Sequence, residues 1–153
     1  MLGMQQFFSS MKITSADIAL EFVDRINSHD ISSLVRLMTE DHLYIDGQGN
    51  QIRGRQQIER SWRAYFTWFP DYSIQIDGAF TNGNVAALTG SAMGTYAVRG
   101  GLNPENRWKI PSAWQAIIRQ QRVAEWRVFA DHEPVWKILR GKKPLIENFA
   151  SSS

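Results

Sequence analysis

Residues 54–77, GRQQIERSWRAYFTWFPDYSIQID, constrain the fold most, because their apolar period changes from about 3.6 to 2 at a single proline. Before Pro70, the residues Ile58, Trp62, Tyr65, Phe66 and Phe69 fall on one helical stripe, while Arg55, Glu59, Arg60 and Arg63 face away. After it, Tyr72, Ile74 and Ile76 alternate with Ser73, Gln75 and Asp77 as in a half-buried strand. Proline cannot continue a helix, and it biases the preceding residue toward extended backbone, so the junction is sharp. A helix over 54–69 with so broad an aromatic face needs a curved sheet or a deep pocket to cover it.

The flanking segments supply such a sheet. Thr14 or Ser15 can cap a first helix, with Asp17 near its positive end and Ile18, Phe22 and Ile26 as its buried row. Asp30 can cap a short second helix, ISSLVRLM, with Leu34, Leu37 and Met38 inward. His42 to Asp46 reads as a brief strand before the turn chemistry of Gly47 to Asn50. Beyond Ile76, Asn82-Gly83-Asn84 is a hairpin signal that leads into a strand over 85–96. A polar loop is expected over 99–106, followed by two long strands over 108–120 and 123–132. The class is therefore α+β, with helices on one face of an antiparallel meander. A bent sheet with helices on its concave side makes a cone whose open end suits a small molecule. The expected organisation is an N-terminal extension over 1–12, one domain over 13–139, and a tail over 140–153 whose last residues are expected to be mobile.

At 153 residues the chain can bury roughly two-thirds of the surface its unfolded form exposes, so one domain suffices. Seventeen Lys and Arg against fifteen Asp and Glu leave +2, too balanced for a nucleic-acid footprint. The absence of cysteine removes disulfides, thiolate catalysis and cysteine-ligated metals, and fits a cytoplasmic protein. MLGMQQFFSSMKI lacks the basic and apolar regions of a signal peptide, and no run is long enough to span a membrane. Six Trp, eight Phe and four Tyr serve equally as core filler or as the wall of an apolar ligand site.

Two carboxylates are candidates for chemistry. Asp46 ends a short strand before a glycine turn and shares side-chain parity with Tyr44 and His42. At the mouth of an aromatic pocket, desolvation suits such a group to proton transfer; otherwise it is a turn aspartate accepting from backbone amides. Asp131 ends the last long strand, but alternation puts Trp126, Val128, Ala130 and His132 on one face, and Arg127, Phe129 and Asp131 on the other. Asp131 reaches the pocket only through a bulge, and otherwise pairs with Arg127 on the outer face. His29, His42 and His132 lack metal-ligand spacing, and no G-x-S-x-G, P-loop or G-x-G-x-x-G motif occurs. The arginines of RGRQQIERSWR lie on the polar side of an amphipathic helix, as a solvated face does.

Several segments, in this order and spacing, carry a family resemblance: the D-x-x-x-L-x-x-L-M-x-x-D pattern from Asp30 to Asp41, G-R-x-x-I from Gly54 to Ile58, FPDYSI, NGNVAALTGSAMGTY, RWKIP and AEWRVFAD. From Ile13 to Leu139 the chain resembles the SnoaL-like branch of the nuclear transport factor 2-like superfamily, which includes polyketide cyclases and ketosteroid isomerases. The resemblance implies a cone of curved antiparallel sheet with three helices on its concave side, commonly a homodimer, while fold alone does not fix function. Asp46 falls where ketosteroid isomerases keep their general base, and Asp131 near the acid-base aspartate of SnoaL-type cyclases. Phe22 and Trp114 stand roughly where the isomerases keep their oxyanion-hole tyrosine and protonated aspartate, and neither side chain supplies a hydroxyl. Val128 stands where limonene epoxide hydrolases place a carboxylate. The expectation is a small enzyme doing acid-base chemistry on an apolar carbonyl compound without metal or organic cofactor. Asp46 and Asp131 would be catalytic, with Phe22, Tyr44, Trp62, Phe66, Trp114 and Trp126 as pocket wall. The alternatives are a noncatalytic module that binds a hydrophobic ligand, and a dimerisation module whose cone is filled by its own tryptophans.

Overall fold

The computed structural model describes residues 12–99 and 101–141, so almost all of the expected extension and tail lies outside the described residues. Helix α1, Ser15–Asn27, starts at a reciprocal cap: Asp17 N donates to the Thr14 hydroxyl, and Thr14 N donates to the Asp17 carboxylate. Both its ends are tied to the sheet. Ser15 donates to the Gly83 carbonyl at 2.7 Å, and the Asn27 side chain exchanges two hydrogen bonds with the Ile74 backbone. Its row of Ala19, Phe22 and Ile26 is fully buried.

Helix α2, Ile31–Arg36, is capped by Asp30 and is shorter than expected. Met38, assigned from the sequence to the end of that helix, instead opens strand β1, Met38–Ile45, and is fully buried there. Strand β2, Gln51–Arg53, returns beside β1 and leads through Gly54 into helix α3, Arg55–Trp68. Ile58, Trp62 and Phe66 form the buried face of α3, and the helix stops just before Phe69 and Pro70, as the period change requires. The Asp71 carboxylate then receives hydrogen bonds from the Thr95 amide and hydroxyl, at 2.7 and 2.6 Å, fastening this turn to the sheet.

Strands β3, Ser73–Asn82, β4, Val85–Val98, β5, Gly101–Arg119, and β6, Arg122–Ala130, complete one curved, unclosed sheet in the order β2-β1-β6-β5-β4-β3. The β3–β4 hairpin turns at Gly83 and Asn84, where Gly83 has φ +60°. Close strand packing also needs glycine at 90, where an added Cβ would stand 1.9 Å from the Gln75 carbonyl oxygen.

Three expectations are corrected here. The segment expected as a loop over 99–106 is mostly strand, since Gly101 pairs with Val98 and Leu102 with Ala97. Residues 101–105 are exposed, so this ribbon is held by backbone pairing and carries no apolar alternation to betray it. The sheet is also mixed, because β1 runs parallel to β6 while every other pair is antiparallel. Third, four helices occur among the described residues: α4, Glu133–Arg140, follows β6 and buries Val135 and Leu139, an i, i+4 pair.

Helix α1 packs against β3 to β6, and α3 against β1, β2 and β4, which leaves an aromatic core between them. No described helix is long and apolar enough to cross a membrane.

Candidate functional site

The core does not close completely. A cavity of about 460 Å³ lies between α3 and the sheet. Its walls are Ile58, Ser61, Trp62, Tyr65 and Trp68 of α3, Tyr44 and Ile52 of β1 and β2, and Ala92, Trp108, Ser112, Trp114, Trp126 and Val128 of β4 to β6. Asp46, Tyr72 and His132 complete the lining. This volume is within the ordinary range for small-molecule sites, and the mix of many rings with few polar groups is typical of them.

The sequence-predicted residues divide at this cavity. Tyr44, Asp46, Trp62, Trp114 and Trp126 all line it. Phe22 lies in the core instead, stacked on His42 and tilted against Trp126 with ring centroids 4.7 Å apart. Phe66 is turned toward His29, their rings nearly parallel and 4.0 Å apart. Asp131 is exposed and outside the lining, and its Oδ1 accepts from the Glu133 amide at the start of α4. No bulge falls between Trp126 and Ala130, so alternation keeps Asp131 on the far side from Trp126.

Asp46 is both a pocket residue and a turn residue. Its Oδ1 accepts from the Gln48 and Asn50 amides, each at 2.9 Å, and its Oδ2 from Asn50 Nδ2 at 3.0 Å. Such a turn fixes where the negative charge sits. His132, which the sequence reading passed over as a site residue, lines the same cavity and feels the Asp46 charge. His132 is half-buried, and burial pushes its pKa below the usual histidine value against the opposing pull of Asp46, the Ala130 carbonyl and Asp131. The turn after Asp46 packs close to His132 because position 47 has no side chain: a Cβ there would stand 2.9 Å from the Ala130 oxygen and 3.2 Å from His132 Nδ1. The signal for His132 was the parity it shares with Trp126 and Val128 across the end of β6.

Tyr65 and Tyr72 were also missed as site residues, since a phenol on an apolar stripe reads as core. Burial raises the pKa of Tyr44, Tyr65 and Tyr72, with smaller contributions from Asp46 at Tyr44 and from the phenols on one another. All three are therefore neutral donors at any physiological pH. Among the described residues, no group of three or more His, Cys, Asp or Glu is placed to hold a metal ion. A second, shallower depression lies over the β4–β5 tip, lined by Val98, Gly101, Leu102, Asn103, Glu105 and Asn106. Glu105 is its one ionisable side chain, so it has none of the paired chemistry of the aromatic cavity.

Residues 19–128 match the family described as SnoaL-like domain. Among solved structures, a candidate SnoaL-like polyketide cyclase from Shewanella denitrificans superposes with a TM-score of 0.72 at 16% identity, over 83% of this chain and 97% of that one. IdmH, a candidate polyketide cyclase from Streptomyces antibioticus, gives 0.68 at 19% identity over 82% and 97%. An NTF2-like protein of unknown function from Cytophaga hutchinsonii gives 0.63 at 14% over 83% and 98%. No curated protein sequence matches the chain. At these identities the solved structures establish a common fold.

Proposed function

We propose, from the premise that the chain belongs to the SnoaL-like domain family, that it is an enzyme moving a proton on an apolar carbonyl compound held in the aromatic cavity. The observation that carries this reading is the His132 and Asp46 pair at a cavity lined mainly by aromatic rings. A histidine with a lowered pKa is neutral near pH 7 and can accept a proton from a carbon beside a carbonyl. As that C–H bond breaks, its electron pair moves toward the carbonyl oxygen and the imidazole becomes cationic. The fixed carboxylate of Asp46 stabilises that cation. The residue resemblance put the base at Asp46; the turn that occupies both its oxygens favours His132 as acceptor, with Asp46 as its electrostatic partner. Asp131 adds a weaker influence of the same sign. The polyketide-cyclase descriptions of the structural neighbours are consistent with this class of substrate.

The test is hydrogen-deuterium exchange at the α-carbon of a panel of cyclic ketones, followed by NMR. We expect catalysed exchange in the parent protein and a loss of roughly 10²-fold or more in His132→Gln, the scale of a missing general base. Asp46→Asn should lower exchange less and leave ligand affinity nearly unchanged. Because the base must be neutral, activity should persist above the folded pKa of His132 and fall off below it, with a midpoint under the ordinary 6.5. Ketones that bind without any exchange would instead establish a noncatalytic ligand-binding module of the same fold.

A further inference from the structure

We infer that the hydroxyls of Tyr44, Tyr65 and Tyr72 form a donor cluster that receives the carbonyl oxygen of a planar, ring-bearing ketone and holds it as that oxygen gains negative charge. The inference rests on reading the cavity as a small-molecule site, and adds to it which chemical group binds and where.

Three separate parts of the chain bring these phenols together: β1 supplies Tyr44, α3 supplies Tyr65, and the turn before β3 supplies Tyr72. Tyr65 and Tyr72 are held by ring packing and by the turn before β3. The Tyr65 and Tyr72 rings meet edge to face with centroids 4.9 Å apart. The Tyr72 carbonyl accepts from His29 Nε2 at 2.7 Å, and the neighbouring Asp71 is clamped by Thr95. Tyr72 also packs against Trp108, with centroids 6.1 Å apart.

Several other polar side chains of the lining are engaged within the protein. Ser61 donates to the Gln57 carbonyl, Ser112 to the Ile110 carbonyl, and the Asp46 oxygens are occupied by their turn. Among the described residues no protein group accepts from any of the three phenols, and none of the three oxygens is walled off from the cavity, as the Trp108 indole nitrogen is. Buried donors without a protein acceptor call for one from a ligand. Because burial keeps all three protonated, they can donate to a developing oxyanion without becoming charged.

Tyr44 also feels the charge of Asp46, and the three phenols, Asp46 and His132 line the same cavity. The donors that Phe22 and Trp114 could not supply come from other elements of the fold.

The probes are 2-acetylnaphthalene and its hydrocarbon isostere 2-isopropenylnaphthalene, with affinities from calorimetry and the bound ketone's C=O stretch from infrared spectroscopy. The expected result is a ketone preference of about tenfold, as one or two good hydrogen bonds supply, with a lowered C=O frequency in the complex. Tyr65→Phe and Tyr72→Phe, which preserve ring packing, should each reduce both effects, and the double variant should remove them while hydrocarbon affinity holds. Equal, measurable affinity for the two probes, or an unshifted C=O band, would overturn the donor cluster and leave the small-molecule site standing. Binding of neither probe would overturn both readings.

Discussion

His42 shows how one side chain can link stability to pH without taking part in the site. It is wholly buried against Phe22, and its Nδ1 donates to the Val123 carbonyl at 2.6 Å, so Nε2 is the unprotonated nitrogen and has no partner. Burial pushes its pKa down from 6.5 to about 4. The unfolded chain therefore binds a proton that the folded chain refuses, and stability is full above 6.5 and declines as pH falls from there to about 4. At about 1.4 kcal/mol per unit, the loss approaches 3 kcal/mol across that window. Urea midpoints measured at pH 7.5 and 5 should show this decline, and His42→Gln, which keeps a donor but cannot titrate, should flatten it. A parent protein whose stability is the same at both pH values would refute the assignment. Part of the candidate cavity's lining was legible in the sequence: strand parity put Tyr44 and Asp46 on one face and His132 on the Trp126 face. The alternation that excludes Asp131 was legible too. Phe22 and Phe66 were not, because a helical stripe is wider than the cavity it borders, and only packing decides which members of the stripe meet empty space.

At the scale of elements, α3 is both the cover of the core and one wall of the cavity. Trp62 is 8% exposed and touches Phe66, Tyr65 and Tyr72 through ring contacts at 5.3, 6.0 and 6.4 Å. Trp62→Ala should cost about 3–5 kcal/mol by denaturant unfolding, from lost transfer energy and an enlarged cavity. A loss below about 1 kcal/mol would show that the helix does not depend on this face. The helix was legible because a period of 3.6, a broad apolar stripe and a terminating proline agree locally. The Gly83 hairpin was legible for the same reason. What sequence did not show is non-local or featureless. The parallel pairing of β1 with β6 joins segments about eighty residues apart, Tyr44 facing Trp126, and no local signal specifies it. The exposed start of β5 has no buried face, and α4 offers only two buried residues across eight.

The whole molecule leaves the outer face of its sheet uncovered among the described residues. Phe80 is 61% exposed and Phe129 46%, and each pairs across the strands with a small residue, Ala87 and Ala113 respectively. Along β5, Lys109, Ala113, Gln115, Ile117 and Arg119 alternate with the inward Trp108, Ile110 and Trp114, and this mixed apolar and polar pattern suits a homodimer through that face. The structure broadens the patch to β3 and β6 and adds Arg127, whose guanidinium carbon lies 4.8 Å from the Phe129 ring centre. Aromatic and arginine side chains are enriched at interface centres. A stable dimer needs roughly 800 Å² from each partner, an area that a four-stranded face can supply. Sedimentation at micromolar concentration should therefore show a dimer, and Phe129→Asp should give a monomer with unchanged far-ultraviolet circular dichroism. Phe129 and Trp126 lie on opposite faces of β6, so the monomeric variant should keep its affinity for 2-acetylnaphthalene. A parent protein that sediments only as a monomer would remove the dimer, whereas lost ketone binding in a folded Phe129→Asp monomer would show that association shapes the cavity through the sheet.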